Sequence, residues 1–147
     1  MQFVEAFEHL GYKVVAPRQD WSAEKNGGVC ISLWKKEMGT RGGLPWMNTE
    51  VHADPIENWG HKPGNVKRKQ HLGRALEEFG GRVDVVIVSG IPGRSYGTAQ
   101  PWVAKESRAH THWEITEFDA DTGHFEVVLV KAGVARPVDT HPHKGSR

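Results

Sequence analysis

"GNVKRKQHLGRALEEFGGRVDVVIVSG", residues 64–90, decides the fold class, because two hydrophobic periods meet in it. Leu72, Ala75, Leu76 and Phe79 recur at helical spacing, which sets one apolar stripe along a helix from about Asn65 to Phe79. Gly80-Gly81 stops that helix. Arg82–Gly90 then runs almost unbroken in apolar residues, the pattern of a central strand covered on both faces. A helix feeding such a strand calls for layered α/β packing.

Working outward, Phe3, Val4, Phe7 and Leu10 place a short helix at the start, closed by Gly11. "YKVVA" (12–16) is expected as a strand ended by Pro17, and "VCISLW" (29–34) as a second one after the "KNGG" turn. Residues 38–64 are rich in Gly and Pro, carry Trp46 and Trp59, and are expected as a long loop, functional or mobile, with only "NTEVHA" (48–53) extended. A second glycine-rich loop, "IPGRSYGTAQP", spans 91–101. "THWEITEF", the turn "DADTG" and "HFEVVLVK" make a C-terminal hairpin. The expected fold is a single α+β (mixed α/β) domain over 1–131, with about five to six strands and two helices. Residues 132–147 are expected to form a polar, basic, fraying tail.

The 147 residues suffice for one domain with its own core. Hydrophobic residues at 37% and charged residues at 25% exclude a disordered polyelectrolyte. A single cysteine excludes an intramolecular disulfide and a cysteine-built zinc site, so a reducing, cytoplasmic setting is expected. No apolar run reaches membrane-spanning length, and the N-terminal stretch lacks the pattern of a signal peptide.

Charge is unevenly spread. Residues 61–74, "HKPGNVKRKQHLGR", hold five Lys/Arg and no acid, which leaves 14 bases against 18 acids elsewhere. Cations at a helix start oppose the macrodipole. An anion docked there would reverse that penalty, with Asn65 as cap and Gly64 opening the backbone N–H groups to a phosphate. Lys67, His71 and Arg74 share one helix face, and a solvated face is the alternative explanation. The site expected for DNA or RNA is therefore Lys62, Asn65, Lys67, Arg68, Lys69, His71 and Arg74, with Arg94 as an outlying contact. Trp46, Trp59 and Tyr96 would stack on bases. Such a domain would hold nucleic acid, including a modified or extruded base. Trp34 and Trp113 fall in strands and are expected in the core.

Two alternatives stand beside it. His110, His112 and Glu114 alternate on one strand face, and His52 and Asp54 form a second pair. Together they could hold a divalent metal as the sole cofactor, for a small hydrolase or nuclease. The tryptophan loops could instead be hot spots for a protein partner, as in an inhibitor of phage or plasmid type. Asp20, Glu24 and "SLWKK" give only a distorted version of an acid-acid-lysine nuclease pattern, and "GIPGRSYG" lacks the Lys-Ser/Thr of a mononucleotide loop. Cys30 lies inside an apolar strand with no local activator.

"GGVCISLW", a polar loop, "GNVKRKQHLGRALEEFGGRVDVVIVSG" and a Ser/Arg/Tyr loop together resemble the N-terminal DNA-recognition domains of McrA-type modification-dependent restriction proteins. The resemblance runs from Gly27 to Tyr96 and implies recognition of methylated DNA. "GGLPWMNTEVHADPIENWG" (42–60) departs from that pattern, and no Cys pairs or His-His motif of an HNH nuclease follow. The resemblance thus implies a stand-alone reader or a regulator.

Overall fold

The computed structural model describes residues 1–103 and 110–131, so the 132–147 tail lies outside the described residues. The elements are α1 (Phe3–His9), β1 (Ser22–Lys25), β2 (Gly28–Trp34), β3 (Gly39–Arg41), β4 (Leu44–Asn48), α2 (Thr49–His52), α3 (Pro63–Glu78), β5 (Arg82–Val88), β6 (Ala99–Pro101), β7 (Thr111–Phe118) and β8 (Phe125–Lys131). The fold is α+β, with more strands than the five to six expected. All eight join one mixed sheet in the order β1-β2-β5-β7-β8-β4-β3, with β6 paired to β5 off that path.

β5 holds the sheet together. It runs parallel to β2, with Ile31 opposite Val85 and Trp34 opposite Val88. Its other edge is divided: Val83 pairs with Trp113 of β7, while Val86 pairs with Pro101 of β6. Alternation sends Val83 and Val85 to one face and Val86 and Val88 to the other, each into its own core. The first core joins Val29, Ile31, Leu33, Trp113 and Phe125 to Leu72 and Ala75 of α3. The second joins Cys30, Val86 and Val88 to Phe3, Phe7 and Tyr12 around α1. Both faces of β5 are covered, as its unbroken apolar run implied.

"YKVVA" is not a strand. Tyr12 and Val14 are buried beneath α1 while Val15 is 78% exposed, and the chain turns at Ala16, whose carbonyl accepts from Gln19 and Asp20 N–H. The strand forms instead at Ser22–Lys25, pairing antiparallel with β2. The 38–64 stretch is not one loop either, and "NTEVHA" is not extended: Asn48 caps a helical turn, α2, by accepting from the Glu50 and Val51 N–H groups. Gly42 and Gly43, both at positive φ (59° and 78°), make the two-residue turn of the β3–β4 hairpin, which pairs through β4 to β8. Among the described residues, no helix is long and apolar enough to cross a membrane.

Candidate functional site

The basic helix start has a different construction from the expected one. Pro63 and Gly64 already belong to α3, and Lys62 is its N-cap without a side-chain cap bond. Asn65 does not cap. It is fully buried, and its Nδ2 donates to the carbonyls of Gly60 (2.9 Å) and Thr122 (3.0 Å), tying the helix start to the β7–β8 turn. Gly64 is required by packing: a Cβ there would overlap the Trp21 ring and the Gln19 carbonyl.

Most of the cations are tied to the protein itself. Lys67 Nζ donates to buried Asp20 at 3.1 Å, and Lys69 Nζ to the Asp121 carbonyl at 3.2 Å. Arg74 bonds Glu24 (2.8 Å), Glu78 (2.9 Å) and the carbonyls of Lys25 and Asn26, clamping α3 to the β1–β2 turn. His71 Nδ1 lies 2.7 Å from Ser22 Oγ, and its Nε2 lies 3.6 Å from Glu24. That Ser–His–Glu set is not a nucleophile's: Ser22 is 1% exposed, so no substrate reaches its Oγ. Burial holds the His71 ring below its ordinary pKa and therefore neutral.

Arg68 differs from all of these. It is 7% exposed, its buried Nε has no hydrogen-bond partner, and no ion pair engages its guanidinium among the described residues. The guanidinium stands instead over the rings of Phe125 (4.8 Å), Trp21 (4.9 Å) and Trp59 (5.5 Å). Burial pulls its pKa down to about 10, and the charge of Glu37 opposes that shift.

Arg68 lies in the wall of a cavity of about 460 Å³, within the range of small-molecule sites. Its aromatic walls are Trp21, Trp34, Trp59 and Tyr96, and its acids are Glu37 and Asp54. Exposed Arg18, Lys62 and Arg94 stand at the rim. The position follows from topology: Trp34 and Val88 end the two parallel strands, and the loops beyond carboxyl ends of such strands are where ligands gather. Trp59 is fixed by its Nε1–H to the Asp54 carbonyl (2.7 Å) and by the His124 ring edge. Tyr96 is stacked between Phe3 (3.9 Å) and Trp34 (5.6 Å), so it serves as a wall. The missing Cβ of Gly90 lets the backbone of Ser95 and Tyr96 close onto the strand end and deliver that ring.

Glu37 sits in the short 3-10 turn after β2. Burial first, then the neighbouring Asp54 carboxylate, push its pKa up to about 7, and Arg68 opposes them. The carboxyl is therefore poised between its two forms at neutral pH.

Of the residues expected from sequence, Lys62, Arg68, Arg94, Tyr96 and Trp59 meet at this cavity; Lys67, Lys69, His71 and Arg74 serve packing. Trp46 does not line it. It lies on β4, with the Arg41 guanidinium 3.6 Å from its ring and His52 at its edge. Trp34 is only part-buried and helps form the cavity, whereas Trp113 is a core residue at 1% exposure. The metal candidates are dispersed: His112 pairs with Glu114 at 2.9 Å, His52 accepts from the Asn48 N–H, and Asp54 is at the cavity. His110 precedes β7 at φ 65°. Among the described residues no three His, Cys, Asp or Glu side chains gather as a metal site.

Arg18, Trp21 and Glu37 were missed by sequence reasoning. One signal was available: Arg68, Leu72, Ala75 and Phe79 continue the apolar stripe at helical spacing, which places Arg68 on the buried face. Comparisons with protein-family models, curated proteins and solved structures return no match.

Proposed function

We propose that this chain is a nucleic-acid-binding domain whose cavity receives a single base extruded from the stack. One observation carries the proposal: a buried, unpaired Arg68 in the wall of a cavity with aromatic sides and a cationic rim. A buried guanidinium nitrogen without an acceptor is costly, and a ligand in the cavity could supply one. Flat rings at Trp21, Trp34 and Trp59 suit a flat ligand, and an extruded base is read by stacking plus bonds to its edge. Arg18, Lys62 and Arg94 would take the flanking phosphates. The resemblance to McrA-type recognition domains points in the same direction.

Tryptophan fluorescence titration with single-stranded oligonucleotides, and with duplexes carrying one mismatched base, tests this. Quenching is expected, stronger for the mismatched than for the fully paired duplex. With three rim cations, the affinity should fall with salt at a log–log slope of about −2 to −3. Trp59→Ala should abolish the quench. Absence of binding to every oligonucleotide, or binding unaffected by Trp59→Ala, would overturn the proposal.

A further inference from the structure

Building on the base-pocket reading above, we infer that the cavity selects guanine, with Arg68 on the O6 side of the base and the carboxylates of Glu37 and Asp54 on the N1–H and N2–H₂ side. The aromatic walls cannot choose, because every base has a π-face. Choice falls to the polar groups that reach the base edge, and these are of two kinds. Arg68 is donor-only, and ionised Glu37 and Asp54 are acceptor-only. Glu37 lies within charge range of both Arg68 and Asp54, so a donor stands beside acceptors in the cavity wall and matches a base edge that runs acceptor, donor, donor.

Guanine alone among the common bases presents that order, as O6, N1–H and N2–H₂. Cytosine offers one donor and two acceptors, so a carboxylate facing its N3 is repelled. Thymine and uracil place one donor between two acceptors. Adenine offers a single amino donor beside N1 and nothing for Arg68 on the far side. Guanine O6 would also offer an acceptor to the Arg68 guanidinium, whose buried Nε has no hydrogen-bond partner.

The charged groups facing Glu37 are Asp54 and Arg68, with Arg18, Lys62 and Arg94 at the rim of the same cavity. Glu37 carries its proton on the acid side of about pH 7, and guanine needs it ionised. Guanine affinity should therefore rise between pH 6 and pH 8, with release of a proton. Protonated Glu37 instead offers one donor beside one acceptor, which complements cytosine N3 and N4. Selectivity should drift toward cytosine in acid.

The test uses the full chain and four oligothymidines that carry at their centre dG, dA, dC or no replacement, titrated by tryptophan fluorescence at pH 6.5 and 8.0. At pH 8.0 the dG strand should bind about tenfold tighter than the others, the discrimination expected of one bidentate edge contact. Glu37→Gln, a near-isosteric change whose fold is checked by thermal melting, should shrink that preference below about threefold and flatten its pH dependence. Guanosine monophosphate as competitor distinguishes a strand-borne base from a free nucleotide. Equal binding of all four strands, still lost in Trp59→Ala, overturns the guanine assignment and leaves the base pocket standing. A dC preference at pH 8.0 also overturns it. No quench by any strand overturns both.

Discussion

Arg68 and Arg74 stand on one helix, less than two turns apart, and are held in opposite ways. Arg74 is part-exposed and bonds two acids and two backbone carbonyls. Arg68 is buried and hydrogen-bonds none of the described residues, standing over three rings with the charge of Glu37 nearby. Exposed ion pairs are individually weak, but water always offers Arg74 an alternative. Arg68 has its Nε buried without an acceptor, and the nearby charge of Glu37 offsets its burial only in part. Cations that look equivalent in a basic run can thus have unrelated tasks. Arg74 fastens the helix to β1 and the β1–β2 turn, and Lys67 and Lys69 fasten its first half to Asp20 and the Asp121 carbonyl. Arg68, in that same half, turns inward to the cavity.

The largest expected effect separates the two residues directly. Arg68→Met keeps the volume, removes the unpaired charge, and should cost at least about tenfold in oligonucleotide affinity. Folding stability should stay level or rise, since replacing a buried unpaired charge by an apolar side chain is often neutral or favourable. Loss of both stability and binding would make Arg68 a structural residue and erase the contrast. Urea titrations beside the binding titrations decide it.

Gly64→Ala probes the first turn of α3. Alanine favours the helix by up to about 1 kcal/mol. The overlap with Trp21 and the Gln19 carbonyl should outweigh this, for a net loss of about 1–3 kcal/mol. An unchanged urea midpoint would mean that the helix start does not press on Trp21.

Glu37 gives a smaller effect with a definite sign. Its pKa in the folded protein is about 7, above the ordinary 4.5, so the folded form holds a proton that the unfolded chain has already lost. Its contribution to stability is full below pH 4.5, declines as pH rises to 7, and stays absent above. The melting temperature of Glu37→Gln relative to the parent should therefore climb from pH 5 to pH 8. A constant difference would show that the carboxyl ionises normally.

Arg74→Ala should give the least: a slightly lower melting temperature, sensitive to salt, and oligonucleotide affinity within about twofold of the parent. A large loss of affinity would place Arg74 in the binding surface and break the comparison from the other side.

Legibility in the sequence followed the strength of local periodicity. β5 could be read because both its faces are apolar. α3 could be read because Leu72, Ala75 and Phe79 repeat at helical spacing over about two turns, although Leu76, read into the same stripe, is 40% exposed. β1 could not, because Ser-Ala-Glu-Lys has little β propensity and becomes a strand only by pairing with β2. The β3–β4 hairpin carried its Gly42-Gly43 turn in plain view, but Pro45 and the short flanking runs masked the strands. Of the cations in the basic cluster, Lys62 and Arg68 line the cavity. The run itself did not show which cations face inward, since Asp20, Glu24 and Asp121 that engage the others come from distant parts of the chain. Trp21 and Glu37 reach the cavity by the same long-range route, and neither carries a local signal.

Cys30 offers a built-in probe of β2. It is the chain's single thiol, fully buried at the centre of β2, with its pKa pushed well up by burial. A disulfide reagent can reach it only when the sheet parts, so the rate of modification counts openings of β2. The same strand ends at Trp34 in the cavity wall. A ligand seated there should slow the labelling in proportion to its occupancy, giving a binding assay that needs neither dye nor engineered label.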